Sequence, residues 1–418
     1  MKTASSPRAD IALRVLASRV AYSLGEKGRS GMRPPEVLLM KRNTLNIRSK
    51  RGSRPNVSLS GIDASPLWRS NGCMKIVNNP YRGKGLTHPD LTDMPWTAAK
   101  AGLPQNLIAR CPRAEETPLH KAAKLADQTG VGAVYIKDER NRMGMGSFKA
   151  LGAAYVIACD AEEGKAAGRT YVTASAGNHG LSVAAGAAAF GAKARVYIAE
   201  TVPEAFAEKL RSHGAEVVRQ GAVYEDSMTA AAKAAKKEGL ILLSDSSWPG
   251  YSERPHRLME GYLVLMAEAA RQMPQPPTHI FLQAGVGGLA GACAAHARLV
   301  WGDAPQIIVV EPDAAPALTA SIEAAGPVVA TGAVSQMGRL DCKEPSLIAL
   351  KSLSRDADAF QTISEAEGQI GAKAAAEAGF ASTPSGAAGL AGLIAGRAAF
   401  GLDNTSCVLL VLSEEAEN

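Results

Sequence analysis

The strongest constraint on this chain is an alternation. Short runs of β-branched and apolar residues recur at 133–137, 170–173, 194–199, 215–218, 240–243, 279–282, 306–310 and 407–412. Ala-rich helical stretches lie between most of them, at 181–190, 204–213, 226–238, 286–299 and 364–378. Continuous apolar runs belong to strands covered on both faces, and strands that alternate with helices pair in parallel. The expected fold is therefore α/β, with parallel-sheet three-layer domains. Ligands of such sheets collect beyond the carboxyl ends of the strands, where helices begin. Chemistry is to be sought in the loops that follow the strands.

Length and charge divide the chain further. The 418 residues suit two or three units. Residues 1–73 hold 14 Lys/Arg against 4 Asp/Glu, and the remainder holds 32 against 36, so the basic excess lies wholly in the leader. The leader is rich in Arg, Ser, Pro and Asn, and only residues 11–24 have amphipathic spacing. It reads as a disordered nucleic-acid arm, as an acid-poor transit peptide, or as upstream sequence preceding a start at Met74. The last is the expectation adopted, with no nucleic acid as partner. A chain beginning at Met74 is then expected to fold and to bind its ligand as the full chain does; lost solubility on truncation would contradict this. No run of about 18 apolar residues suggests a membrane span. The six cysteines are scattered without CxxC pairs, which fits a reducing, cytoplasmic setting.

Three loops carry chemistry-bearing residues. In Met145-Gly-Ser-Phe-Lys149, Ser147 reads as a helix cap and Lys149 falls in the first turn. There the helix dipole disfavours the ammonium by a few tenths to about 1 kcal/mol, and so favours an amine nucleophile. Taken alone, this loop also reads as an exposed lysine. In Thr173-Ala-Ser-Ala-Gly-Asn-His-Gly180, small residues open an Ala-rich helix whose backbone N–H groups suit an anion. Asn178 adds an amide, and His179 reads as packing. In Ala284-Gly-Val-Gly-Gly-Leu289, glycines open a helix with the geometry of a phosphate cradle. The last two loops also read as ordinary turns. A dinucleotide site with Glu311 as ribose partner stays open, although its glycines lie late in the chain.

A lysine at a helix start, an amide beside an anion site and a glycine phosphate loop together suit pyridoxal 5′-phosphate. Ser147-Phe148-Lys149, Ser175-Ala176-Gly177-Asn178-His179 and Gly285–Leu289 resemble the corresponding segments of the pyridoxal-phosphate enzymes of the tryptophan-synthase-β fold. Nearly all of the chain after Met74 also resembles, more specifically, the diaminopropionate ammonia-lyases. Asn79-Pro-Tyr81, Thr117-Pro-Leu119, Asp245-Ser-Ser-Trp-Pro-Gly-Tyr251, Met259-Glu-Gly-Tyr262, Met337–Pro345 and Pro384–Gly389 carry that similarity.

The resemblance implies a two-domain fold type II enzyme. Residues 74–150 and 262–418 would form the large cofactor domain, and 151–261 the small domain. It implies that Lys149 holds the cofactor aldehyde, and that Gly285, Val286, Gly287, Gly288 and Leu289 hold its phosphate. Asn178 would meet the ring oxygen and Ser413 the pyridine nitrogen. Ser175, Ala176 and Gly177 would bind the substrate carboxylate, and Asp245 would act on the leaving group. The reaction implied is β-elimination from 2,3-diaminopropionate to pyruvate and ammonia, in a homodimer. One departure matters. The family's asparagine loop has an aspartate before the glycine, assigned to the α-proton of the D isomer, and here that residue is Ala176. A preference for the L isomer follows. Ala176 also keeps open a dehydratase acting on L-serine, L-threonine or a 3-hydroxy amino acid. A cofactor-binding protein without activity and a dinucleotide oxidoreductase are the remoter readings.

Overall fold

The computed structural model describes residues 74–417. Every expectation for the basic leader, including the helix at 11–24, lies outside the described residues.

Two sheets organise the chain. The larger has the order β1-β10-β9-β8-β11-β3-β2. It uses β1 (Ile76–Asn78), β2 (Leu119–Lys121), β3 (Ala133–Asp138), β8 (His279–Gln283), β9 (Gln306–Pro312), β10 (Ala359–Ile363) and β11 (Cys407–Leu412). Its five central strands run parallel, and the edges β1 and β2 pair antiparallel with β10 and β3. The smaller sheet is wholly parallel, in the order β6-β5-β4-β7. It uses β4 (Thr170–Ala174), β5 (Lys193–Ile198), β6 (Ala215–Arg219) and β7 (Ile241–Leu242).

The unbroken apolar runs have the cause expected of them. Along β11, Leu409 and Val411 pack into one core with the helices Glu253–Gln272, Gly288–Trp301 and Leu347–Asp356. Val408, Leu410 and Leu412 pack into the opposite core with the helices Glu365–Glu377 and Ala388–Gly396. Successive strand residues point to opposite faces, so a strand between two helical layers is mostly apolar and keeps polar residues such as Lys137 and Glu311 only where they are paired. The short edge strands, the helix Lys149–Glu162 beyond its first turn and the 20-residue helix Glu253–Gln272 are elements that the apolar runs do not announce.

Two close approaches fix where the lysine loop sits. A Cβ on Gly261 would lie 2.6 Å from the Leu151 carbonyl oxygen, so only glycine lets the two long helices cross there. The crossing seats the Tyr262 ring against Phe148, with centroids 4.8 Å apart. On the other side, Arg142 is 1% exposed and donates to both Glu139 and Glu268. Lys137 in β3 also reaches Glu268, at 2.7 Å. Fully paired buried charges hold one geometry, because loss of any partner strands an uncompensated charge. This cluster ties the loop after β3, and with it the approach to Lys149, to the helix Glu253–Gln272.

Candidate active site

Lys149 is the first residue of its helix, as expected, but Ser147 does not cap it. Phe148 stands at the cap position with no side-chain bond, and the buried Ser147 hydroxyl has no partner. The Lys149 ammonium donates to Asp245 Oδ2 at 2.6 Å. Asp245 lies in the segment that follows β7. The expected disfavouring of the ammonium is overturned. Burial lowers the lysine's proton affinity, but the Asp245 carboxylate outweighs burial and holds Lys149 charged well above the ordinary range. Burial likewise raises Asp245, yet Lys149 pulls it well below the usual carboxylate range. An opposite charge at hydrogen-bond distance is a larger effect than a single helix terminus.

The asparagine loop closes on the same space. Asn178 is the first residue of the helix Asn178–Ala189, after Gly177 at the cap position. Ser175 folds the turn by accepting the Gly177 N–H at 3.2 Å. His179 is packing, as expected: burial keeps the ring neutral, and Nε2 meets the Leu243 carbonyl at 2.9 Å. A carbonyl only accepts, so Nε2 carries the proton and Nδ1 is left as an unpartnered acceptor.

The glycine loop follows β8. Gly287 has φ 97, a conformation that side chains strain to adopt, and Gly288 begins the next helix. A Cβ on Gly285 would lie 3.0 Å from Cys342 Sγ and 3.2 Å from the Arg339 carbonyl oxygen, so a larger residue there would have to push its neighbours back. The Val286 carbonyl accepts from the Ser346 N–H at 3.0 Å, and Leu289 is buried. Gly288 faces the Tyr262 ring, whose hydroxyl is buried without a partner. Tyr262 therefore touches both the lysine loop and the glycine loop. Ser413 follows β11, beside the lysine loop. Its carbonyl accepts the Phe148 N–H at 3.1 Å, and its own N–H donates to Gly386 at 3.3 Å.

Residues that the sequence reading did not single out also enter. Glu414 accepts from Asn178 Nδ2 at 2.6 Å and from the Thr383 hydroxyl. Burial raises its carboxyl above the usual glutamate range, against the pull of Thr383 and Arg339. Arg339 lies along Gly177 and donates to the Ala176 carbonyl at 3.4 Å. The Trp248/Tyr251 pair is stacked at 4.4 Å, and the Tyr251 hydroxyl is spent on the Leu242 carbonyl. Glu311 leaves the candidate list. Its carboxylate accepts from the N–H groups of Leu318 and Thr319 and from the Thr319 hydroxyl, at 2.6–2.8 Å. Burial pushes it up to about 7. A carboxylate spent inside on a helix start has nothing left for a ribose, so the dinucleotide reading falls.

These features fit pyridoxal phosphate. Two buried hydroxyls, on Ser147 and Tyr262, wait unpartnered beside Lys149, and a glycine cradle meets the same tyrosine ring. Polar atoms buried without partners are rare unless a ligand supplies the partner.

Comparison with known proteins agrees. The family model described as pyridoxal-phosphate dependent enzyme matches residues 112–414. The diaminopropionate ammonia-lyase of Salmonella typhimurium is 35% identical over 268 residues, 57% of this chain and 66% of that one. The match thus spans just under two thirds of that relative's length. The Escherichia coli protein of the same name is 32% identical over 279 residues, 61% of this chain and 69% of its own. A crystal structure of the E. coli enzyme with an aminoacrylate–PLP azomethine reaction intermediate superposes with TM-score 0.73 at 27% identity, covering 82% of this chain and 94% of that one. By the match over residues 112–414 and by these relatives, the chain belongs to the pyridoxal-phosphate dependent enzymes, and among them to the diaminopropionate ammonia-lyase family.

Proposed function

We propose that this chain removes both amino groups of 2,3-diaminopropionate, the L isomer above all, giving pyruvate and two ammonia with uptake of one water. The observation that carries the reading is the contact between Lys149 and Asp245. In this reading the contact joins the amine that would handle the α-proton to an acidic group that would serve the leaving-group side. Lys149 would hold the cofactor's aldehyde, Gly285–Leu289 its phosphate, Asn178 its ring oxygen and Ser413 its ring nitrogen. When bound, pyridoxal phosphate supplies the carbonyl that takes up the substrate amine and the ring that delocalises the electrons left by the α-proton.

The remaining steps belong to the chain. The backbone N–H groups of Ser175, Ala176 and Gly177, at a helix N-terminus, receive the substrate carboxylate. Lys149, left as a neutral amine beside Cα when the substrate amine takes its place on the cofactor, takes the α-proton at Nζ. The Asp245 carboxylate holds the β-ammonium, which departs as neutral ammonia. That charge state favours an amine leaving group. A hydroxyl departs only with a proton, and an ionised carboxylate does not offer one. Residues 74–150 with 262–418 would act as the large domain and 151–261 as the small one, which contains all four strands of the smaller sheet. We infer a cytoplasmic homodimer. The five described cysteines, all unpaired, support the reducing location, and the dimer is what the family resemblance implies.

A second reading keeps the same machinery on L-serine or L-threonine. It is favoured by Ala176 and by relatives such as the L-threonine dehydratase of Burkholderia multivorans, 33% identical over 47% of this chain and 36% of its own. The deciding experiment measures pyruvate and ammonia from L- and D-2,3-diaminopropionate, L-serine, L-threonine and 3-hydroxyaspartate. The expected result is the highest kcat/KM for L-diaminopropionate, with two ammonia per pyruvate. A higher value for a hydroxy amino acid, with one ammonia per 2-oxo acid, sinks the proposal. Asp245→Asn should lower kcat for diaminopropionate roughly 10²-fold while leaving the cofactor's visible band. Loss of the band in this variant would move Asp245 from the reaction to the cofactor.

A further inference from the structure

Glu414 is the one carboxylate of this pocket that the reaction as described leaves idle. It is 5% exposed, directly after β11 and Ser413. Four side chains converge on it. Asn178 Nδ2 donates to one oxygen at 2.6 Å, and Thr383 donates to the other. Ser382 donates to its backbone carbonyl at 2.6 Å, and the Arg339 guanidinium stands 3.7 Å from the oxygen that Asn178 holds. Ser147 pairs with it across the chain, so it also borders the lysine loop. A glutamine would keep one acceptor for Asn178 and offer its N–H to the Thr383 hydroxyl, which can accept as well as donate, without the cost of burying a charge. A buried carboxylate there calls for a reason beyond packing.

We propose that Glu414 is a positioning residue of the cofactor site: it holds the Asn178 amide and adds a negative charge at the ring edge that Asn178 serves. This rests on the pyridoxal-phosphate reading of the pocket. An amide nitrogen has two N–H groups. With one committed to Glu414, the amide is locked against rotation and its other N–H is left for the ring oxygen. The charge then acts on what Lys149 holds. Arg339 and Glu417 face Glu414 from the solvent side, and Lys149, paired with Asp245, from within. A carboxylate near a protonated imine nitrogen stabilises the proton there, so the imine keeps it to higher pH.

The test uses holoenzyme without substrate and reads the visible band against pH, together with cofactor affinity. Glu414→Gln keeps the shape and an acceptor for Asn178 but loses the charge. Its absorbance titration should move down by roughly one pH unit, with cofactor affinity held within about threefold. Glu414→Ala should show the same shift and, in addition, bind the cofactor about tenfold more weakly, since a bond to a charged group is lost. That second loss should vanish when Asn178 is already alanine, because the two residues act through one contact. A Glu414→Gln titration that overlays the wild type overturns the electrostatic half of the proposal. An affinity loss of equal size with and without Asn178 overturns the positioning half. Glu414→Gln carries the test if Glu414→Ala does not fold. A wild-type protein with no visible band would instead overturn the cofactor reading itself.

Discussion

Lys149→Ala protein, reconstituted with pyridoxal phosphate, lacks the visible band of lysine-bound cofactor and turns over diaminopropionate at least about 10³-fold more slowly. Two functions vanish with one amine: the covalent anchor and the base beside Cα. A positioned base alone contributes roughly 10²–10⁴-fold. The substitution also leaves Asp245 without the cation that holds it ionised. The pair is 22% and 17% exposed, between the surface and buried limits, so the stability cost is about 1–3 kcal/mol. Adding Asp245→Asn removes the stranded charge. The double variant should therefore regain thermal stability without regaining the band, which separates the chemical role of Lys149 from its structural one. Borohydride reduction should label Lys149 in the wild type. A label on another lysine, or a band that survives in the alanine variant, would refute the assignment.

The unmodified protein is expected to act on L-diaminopropionate and to leave the D isomer nearly untouched. Taking the α-proton from the opposite face of Cα needs a base on that face. Ala176 stands where the family resemblance implies an aspartate. Its neighbours supply no substitute: His179 is turned to the Leu243 carbonyl, Asp245 to Lys149, and Glu414 to Asn178 and Thr383. Ala176→Asp should raise turnover of the D isomer by at least about tenfold while the L reaction changes little. The gain stays below the full value of a positioned base, because Arg339 already lies within 3.4 Å of the Ala176 carbonyl and would pair with the new carboxylate. Removing that cation as well should enlarge the gain. Comparable rates on both isomers by the unmodified chain would contradict the assignment and point to a base elsewhere on the second face.

Much of this was legible before any coordinates. The apolar runs at 279–282, 306–310 and 407–412 could only be strands between two helical layers, and they are. The loops that followed them could be searched for chemistry because parallel sheets place ligands at that end. Lys149, Asn178 and the glycines announced themselves by residue type and by their place at helix starts. The short strands β1, β2 and β10 and the helix Glu253–Gln272 were less visible. The three residues of β1 and of β2 give too little pattern to read, β10 carries Gln361 and Thr362 within its five, and the helix Glu253–Gln272 sets its apolar face among charged residues rather than in an unbroken run.

What the sequence determined alone was the set of parts: a parallel α/β chain, an amine at a helix start, an amide at another and a glycine turn at a third. Those depend on local spacing and residue chemistry, which need no distant partner. The charge state of those parts was decided only by tertiary structure. Lys149 is held protonated by Asp245, 96 residues away in the chain, and Asn178 is held by Glu414, 236 residues away. Glu311 turned from a candidate ligand into a helix anchor for the same reason. Proton affinity and hydrogen-bond capacity are set by what lies within a few ångströms, and which groups meet there is decided by how the strands order in the sheet and how closely Gly261 lets two helices cross.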